Sequence, residues 1–365
     1  LVFKLNTILK EKNEVLNSLS RNYKNNFSKK KIKKYKNYTN IKLIGMGGST
    51  LGTQAIYEFL KKKIKKNFIF VDNLQSTQTR HARKKFLNII ISKSGNTIET
   101  IANVNVHVKK NEKNLFITEN KKNSLFLLAE KLKSEIIHHN NYIGGRYSVL
   151  SEVGMLPAEL MGLKTSQFKQ FNLLIKNKKF INSLILNVNA TYALIKKKKF
   201  NSIIINYDEN SENLFKWYQQ LIAESLGKKK KGLLPIVSNM PKDNHSLMQL
   251  YLDGFQNNFF TFYYVNEDSS LKIKNNLLLK SQKFLKNKNL SDIIYSQKKA
   301  TENVFSKKNI PFRSFEIKKR DEKTLGELFS FFILETILLG KLLNVNPYDQ
   351  PAVELIKQET KKILI

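Results

Sequence analysis

The sequence predicts an α/β protein, with parallel sheets flanked by helices and arranged as two units. Three observations carry this reading. Short β-branched apolar runs alternate with stretches of helical periodicity, the pattern of parallel strands joined by helical crossovers. Several runs end in turns rich in glycine or hydroxyl side chains, and ligands of open parallel sheets sit at such strand ends. The 365 residues suffice for two domains of ordinary size, each with a sizeable core.

The elements follow in order. Residues 1–40 are rich in Lys and Asn, with apolar points at Leu5, Ile8, Leu9, Val15, Leu16 and Leu19. They read as one or two amphipathic surface helices. From Asn40 the pattern becomes strand, turn, helix: a strand over 41–44, a glycine-rich turn over 45–52 and a helix over 54–65. A second strand over 67–71 is closed by Asp72 and Asn73, and a third spans 87–91. Ile98, Ile101, Val104 and Val106 mark the next helix, with a fourth strand over 114–117 and a fifth over 135–138. A second set begins near Ser166, with helices over 167–180 and 181–197, a strand over 202–207 and a helix over 213–226. Strands over 233–237, 259–265 and 312–317 come next, and helices from Leu325 and Gln350 finish the chain. The expected division is a helical segment 1–40, a smaller unit 41–165 and a larger unit 166–365.

Composition narrows the function classes. Cysteine is absent, which removes disulfides and thiolate metal sites. The apolar run 328–339 is broken by Ser330 and Glu335 and is too short to span a bilayer. The first five residues lack the charged-then-apolar order of a secretory leader, so a soluble cytoplasmic protein with no membrane partner is expected. A net charge of +35 invites a nucleic-acid reading. Arginine occurs only at Arg21, Arg80, Arg83, Arg146, Arg313 and Arg320, so lysine supplies nearly all the basic charge. The lysines travel with Asn and Ile, as AT-rich codon bias would produce, in scattered runs such as 61–63, 196–199 and 228–231. No basic motif studded with aromatics for base stacking accompanies them. Solvated faces are expected rather than a nucleic-acid partner. A basic surface still steers phosphorylated substrates inward.

The most informative stretch is Ile89-Ile90-Ile91-Ser92-Lys93-Ser94-Gly95-Asn96-Thr97-Ile98-Glu99-Thr100. A buried strand ends in a hydroxyl-rich turn at a helix start, which presents unpaired N–H groups and the positive end of a helix dipole. Lys93 adds charge, and Ser92, Ser94, Thr97 and Thr100 add donors, so a phosphorylated small molecule fits. Gly45-Met46-Gly47-Gly48-Ser49-Thr50-Leu51-Gly52 also follows a strand. Asp72 stands where a dinucleotide fold places its ribose contact, but the third glycine of that fingerprint falls at Thr50, and no Gly-Lys-Ser/Thr makes it a P-loop. Ser49 would add a donor to a sugar or phosphate site.

Gly144-Gly145-Arg146-Tyr147-Ser148 sets a rare arginine in a turn, where a guanidinium could steady an oxyanion. Gln220 and Glu224 lie four apart on one helix face. Glu224 falls in the last turn before Gly227, a position that suits a general base. Asp243-Asn244-His245-Ser246 precedes an amphipathic stretch; His81, His107, His138 and His139 are the remaining histidines, and none has metal-ligand spacing with an acidic partner. Asn346-Pro347-Tyr348-Asp349-Gln350-Pro351 reads as a capped helix start, with Gln350, Glu354 and Lys357 on one face.

Together these segments resemble the glucose-6-phosphate isomerase (phosphoglucose isomerase) family. The matching pieces are 45–52, 92–100, 144–151, 220–228, His245 with its following helix, 325–340 and 344–357, all in the family's order. The resemblance implies two flavodoxin-like sugar-isomerase domains, a homodimer and no cofactor. It implies that Ser92, Lys93, Ser94 and Thr97 hold the phosphate of a hexose 6-phosphate, with Gly48, Ser49 and Thr100 lining the same pocket. Glu224 would move the proton between C2 and C1, and Arg146 would stabilise the enediolate. His245, from the neighbouring subunit, and Lys357 would assist ring opening, while Gln220 and Gln350 hold hydroxyls. Asn244 stands where the family has glutamine, Ile356 where it has glycine, and the part before Ile41 is reduced. The implied activity is interconversion of glucose 6-phosphate and fructose 6-phosphate through a cis-enediol. The alternatives are a non-catalytic sugar-phosphate-binding regulator of the same fold, a nucleotide-dependent dehydrogenase and a basic nucleic-acid binder.

Overall fold

The computed structural model describes residues 2–75, 85–267 and 270–365, so Arg80, His81 and Arg83 lie outside the described residues. The alternating pattern folds into two wholly parallel sheets. Strands β1 (Asn40–Gly45), β2 (Asn67–Val71), β3 (Phe86–Ile91), β4 (Lys113–Glu119) and β5 (Glu135–His139) form the first, in the order β2-β1-β3-β4-β5. Strands β6 (Asn201–Asn206), β7 (Leu234–Asn239), β8 (Asn258–Val265) and β9 (Phe312–Ile317) form the second, in the order β7-β6-β8-β9. The first is the flavodoxin order and the second is the same order one strand short, so each sheet reverses direction beside its first strand. Every residue of β3 and β8 is buried, which is why these segments read as continuous apolar runs rather than alternating ones.

The two sheets share one continuous core, and the helix Glu322–Leu343 is its axis. This helix is buried without interruption over 328–340, each fully buried Leu or Phe contributing about 1.5–3 kcal/mol. Asp321 caps its start by accepting from the Thr324 N–H at 2.9 Å, and Asn344 ends it at φ 55° in the left-handed region. Glu335, which interrupts the apolar run in the sequence, is fully buried and paired with Arg313. Removing either partner would leave a buried charge unpaired.

Several boundaries differ from the sequence reading. The helix expected over 54–65 spans Leu51–Phe59, because Gly52 belongs to the helix rather than the turn and lets it close onto Val149. The helices expected over 167–180 and 181–197 are a short piece, Phe171–Leu174, and a long helix, Lys178–Lys196. Asn177 resets the chain by accepting from the Lys179 and Phe180 N–H groups. The helix Leu290–Lys307 is absent from the sequence expectations, because two of its three buried residues, Lys298 and Glu302, are charged and only Phe305 is apolar. Its signal was the cap, Asn289 and Asp292 bonding each other's backbone N–H at 2.9 Å. The final helix begins at Val353, not Gln350. Asn346 instead closes a local turn, accepting from the Tyr348 N–H at 3.1 Å, so Gln350 shares no helix face with Glu354 and Lys357.

The amphipathic start of the chain forms helices Val2–Lys10 and Glu14–Leu19, with Leu5, Ile8, Val15, Leu16 and Leu19 in the common core. Lys169 ties this segment down: its ammonium is buried, donates to the Ser18 and Leu150 carbonyls and faces the Tyr23 ring at 4.9 Å. Burial lowers its pKa to about 7, with Glu152 opposing the shift. An unfolded lysine keeps its proton to much higher pH, so between about pH 7 and pH 10 the unfolded state binds more protons at this residue and stability rises with pH. Urea midpoints at pH 7 and pH 9 are expected to rise more for the wild type than for Lys169→Met. Equal changes in the two proteins contradict this account.

Candidate active site

The carboxyl edge of the first sheet gathers turns from distant parts of the chain. Gly45, the last residue of β1, pairs in register with Ile91, the last of β3, so the turns after these strands lie side by side. After β1 the chain makes a tight turn, Gly47–Ser49, before the helix Leu51–Phe59. Gly47 sits at φ 51°, and a Cβ there would stand 2.8 Å from Gln220 Nε2. A Cβ on Gly48 would stand 2.2 Å from the Gly145 carbonyl carbon and 2.6 Å from the Arg146 nitrogen. Gly47 is required by its positive φ and Gly48 by the close approach of the 145–146 backbone, and residues 47–48, 145–146 and 220 meet here. Ser49 is half-buried beside them. Gly48→Ala is expected to lower unfolding stability by about 1–3 kcal/mol through overpacking of two backbones. Urea denaturation measures it, and an unchanged midpoint counts against the packing described.

The turn after β3 is held from within. Ser92 Oγ accepts from the Gly95 N–H at 3.2 Å and bonds Thr97 Oγ1 at 2.9 Å. Gly95 has φ 66°, and a Cβ there would stand 1.9 Å from Asn123 Oδ1, so glycine alone fits. Thr97 starts the helix Ile98–His107 without a side-chain cap, which leaves first-turn N–H groups for an anion. Thr100 Oγ1 is buried in that turn without a hydrogen-bond partner, and Ser94 is exposed. Lys93 is half-buried; burial lowers its ammonium pKa from the ordinary range, Glu119 opposing and Lys121 adding to the shift.

Arg146 is fully buried in the turn Gly145–Leu150. Its Nη1 faces Glu224 Oε2 at 3.3 Å and donates to Gln350 Oε1. Its Nη2 donates to the Pro347 and Asp349 carbonyls at 2.7 and 3.0 Å, and its Nε to Ser225 Oγ at 2.8 Å. Glu224 closes the helix Glu212–Leu226, and its other oxygen accepts from Gln220 Nε2 at 2.9 Å, as the shared face predicts. The carboxylate is 29% exposed, fixed on two sides and open to solvent on a third. A cavity of about 640 Å³ opens there, lined by Glu224, Gly227, Lys228, Gln350 and Val353 among others. Lys228 pairs with Asp349 at 3.0 Å across its rim. A carboxylate open to the cavity, a buried guanidinium and the Gln220 carboxamide beside it, and the Gln350 carboxamide on the cavity wall can together move a proton and steady the charge that develops.

Of the expected site residues only Glu224 and Gln350 line this cavity; Arg146 and Gln220 hold Glu224 from beside it, and Gly48, Ser49, the turn 92–97, Thr100, His245 and Lys357 lie outside its lining. His245 ends the exposed turn Lys242–His245 after β7 and does not line the cavity. The turn is fastened by the Asp243 carboxylate, which accepts from Ser238 Oγ and the Asn239 N–H. Lys357 lies on the terminal helix Val353–Leu364, every residue of which is exposed, and pairs with Glu354 at 2.6 Å. Neither lines the Glu224 cavity, and the ion pair of Lys357 is with Glu354. Asp72, the ribose candidate of the dinucleotide alternative, accepts from Gln54 Nε2 at 2.7 Å and is thereby engaged inside the fold. Sequence reasoning missed Tyr147, Ser225 and the carbonyls of 347 and 349 as supports of Arg146. Tyr147 and Ser225 directly follow Arg146 and Glu224 in the chain, which was their only signal, and a backbone carbonyl has none.

Among solved structures, a hypothetical protein from Thermus thermophilus has a TM-score of 0.85 at 23% identity, covering 99% of this chain and 93% of that one. A glucose-6-phosphate isomerase from Chlamydia trachomatis has a TM-score of 0.71 at 18% identity, covering 96% and 73%. These likenesses bear on the fold. A glucose-6-phosphate isomerase from Methanocaldococcus jannaschii is 35% identical over 355 residues, 91% of this chain and 85% of the relative. The model of the phosphoglucose isomerase family matches residues 6–234, which hold the turn 92–97, Arg146 and Glu224. With this match over more than half its length, the chain belongs to the phosphoglucose isomerase family.

Proposed function

We propose that the chain interconverts glucose 6-phosphate and fructose 6-phosphate with Glu224 as the base. The observation that carries this is the placement of the Glu224 carboxylate, fixed between Gln220 and Arg146 yet open to the cleft. An aldose becomes a ketose when a proton moves from C2 to C1 and a hydroxyl proton moves from O2 to O1, so that the carbonyl passes from C1 to C2. The C2 proton passes to Glu224, and the electron pair left behind forms the C1–C2 double bond of the cis-enediol. Charge grows on the carbonyl oxygen, which the positive Arg146 guanidinium beside Glu224 steadies, Nη1 giving up a protein partner to meet it. Glu224 then returns that proton to C1 while the proton of the C2 hydroxyl passes to the C1 oxygen, which leaves the carbonyl at C2. No electrons enter or leave, so this chemistry requires no redox cofactor.

The phosphate goes to the turn 92–97, with Ser92, Lys93, Ser94, Thr97 and Thr100 around it and Gly48 and Ser49 beside it. Gln220 and Gln350 hold sugar hydroxyls. His245 serves a neighbouring copy's site in a homodimer, and Lys357 assists ring opening once its helix meets the cleft. An exposed His245 on a fastened turn supports this arrangement. Residues 41–165 and 166–365 are the two sugar-isomerase domains, with 1–40 packed across them. The protein works in the cytoplasm, where hexose phosphates are made and used; among the described residues no helix is long and apolar enough to cross a membrane. The test couples formation of glucose 6-phosphate from fructose 6-phosphate to a dehydrogenase signal. Turnover by the purified protein is expected, and binding without turnover would favour the regulator.

A further inference from the structure

Arg146 is held by more than its partners in the cleft. Its Nε–H donates to Ser225 Oγ at 2.8 Å, and Ser225 Oγ lies 2.8 Å from the Tyr147 hydroxyl. Tyr147 Oη lies 2.9 Å from the Pro347 carbonyl, which also accepts from Arg146 Nη2 at 2.7 Å. Donor counting fixes the direction of every bond. A carbonyl only accepts, so the single Tyr147 proton goes to Pro347. The Tyr147 oxygen then accepts from Ser225, whose own oxygen accepts from Arg146. Each hydroxyl donates once and accepts once, and the carbonyl uses both lone pairs. Tyr147 and Ser225 are fully buried, so no water competes. Burial raises the Tyr147 phenol above its ordinary range, Arg146 opposing, which keeps it a donor. The Tyr147 ring also lies under the guanidinium, 5.0 Å from centroid to Cζ.

We propose that Ser225 and Tyr147 are positioning residues for the isomerisation: with the Pro347 carbonyl they close a ring of hydrogen bonds that fixes the Arg146 guanidinium plane beside Glu224. The proposal rests on the isomerase reading. The ring spans three segments distant in sequence, the arginine turn, the end of the Glu224 helix and the loop after Asn344, so it locks base and oxyanion stabiliser in one frame. Arg146 has five N–H donors, and all five meet protein acceptors. Ser225 and the carbonyls of 347 and 349 take Nε and Nη2, so Nη1, held by Glu224 and Gln350, is the nitrogen that can exchange a side-chain partner for a substrate oxygen. Opening the ring lets the guanidinium rotate and misplaces that donor, without touching the phosphate turn.

The test compares Ser225→Ala, Tyr147→Phe and the double variant with the wild type, in kcat and KM for fructose 6-phosphate and in thermal unfolding. Each single variant is expected to lose about 10- to 100-fold in kcat, the scale of a misplaced catalytic group, with KM changed less than about threefold. Because the bonds run in series, the double variant should fall little below the worse single one. Affinity for a planar phosphorylated hydroxamate that mimics the enediolate should drop with kcat, while affinity for a phosphorylated sugar acid with a tetrahedral C2 holds. Tyr147→Phe removes one oxygen from an otherwise intact core and carries the test on its own if Ser225→Ala is unstable. Wild-type turnover tests the isomerase reading separately. Folded variants with wild-type kcat, or with kcat losses that multiply, overturn the ring.

Discussion

Glu224→Gln is expected to lower kcat about 10²- to 10⁴-fold, the range that a positioned base contributes. The change keeps the side chain's length and shape and removes only the capacity to take a proton. Gln220 and Arg146 remain to hold the replaced side chain, and the phosphate turn is untouched, so KM for fructose 6-phosphate should stay within a few-fold of the wild type. Arg146 loses a neighbouring charge but keeps its Pro347, Asp349 and Ser225 acceptors, all on buried or backbone partners. Thermal unfolding should therefore move little. The coupled assay measures the first quantity and its substrate dependence the second. Near wild-type turnover in the variant would remove Glu224 from the mechanism.

The second large effect comes from mixing two inactive proteins. His245 is exposed on one chain, outside the cavity of its own Glu224, and is expected to act on the neighbouring copy. His245→Ala should then be weakly active alone, as should Glu224→Gln. A heterodimer of the two has one site with both defects and one with neither. Random reassortment makes half of the dimers mixed, so about a quarter of wild-type activity should return after the two are unfolded together and refolded. Each variant refolded alone is the control. Activity no higher than the mean of the parents would mean that the histidine works within its own chain or not at all.

How much of this was visible in the chain depends on the kind of interaction. Strands such as β3 and β8 were legible because buried parallel strands are short, continuous and apolar, whereas β9 alternates half-buried and exposed residues and was legible from Phe312, Phe315 and Ile317. The turn 92–97 was legible as a turn because its backbone geometry is imposed by particular residue types, such as the glycine at 95. Gln220 and Glu224 were legible as a pair because helical spacing alone puts them on one face, and they bond at 2.9 Å. The helix Leu290–Lys307 was not legible, since its inward face carries the ion-paired Lys298 and Glu302 rather than an apolar stripe. The start of the last helix was misplaced because Asn346 and Pro347 suggest a cap as strongly as a turn. The cage around Arg146 was hidden for a different reason. Two of its acceptors are carbonyls of residues about 200 positions away, and no residue type announces that a backbone oxygen will be used.

The most direct measurement is a crystal structure with fructose 6-phosphate or a five-carbon phosphorylated acid bound. The account predicts the phosphate against the N–H groups and hydroxyls of residues 92–97, with a Glu224 oxygen within about 3–3.5 Å of the carbon pair that exchanges the proton. A phosphate seated elsewhere, or a Glu224 carboxylate turned away from those carbons in a fully assembled dimer, would contradict it.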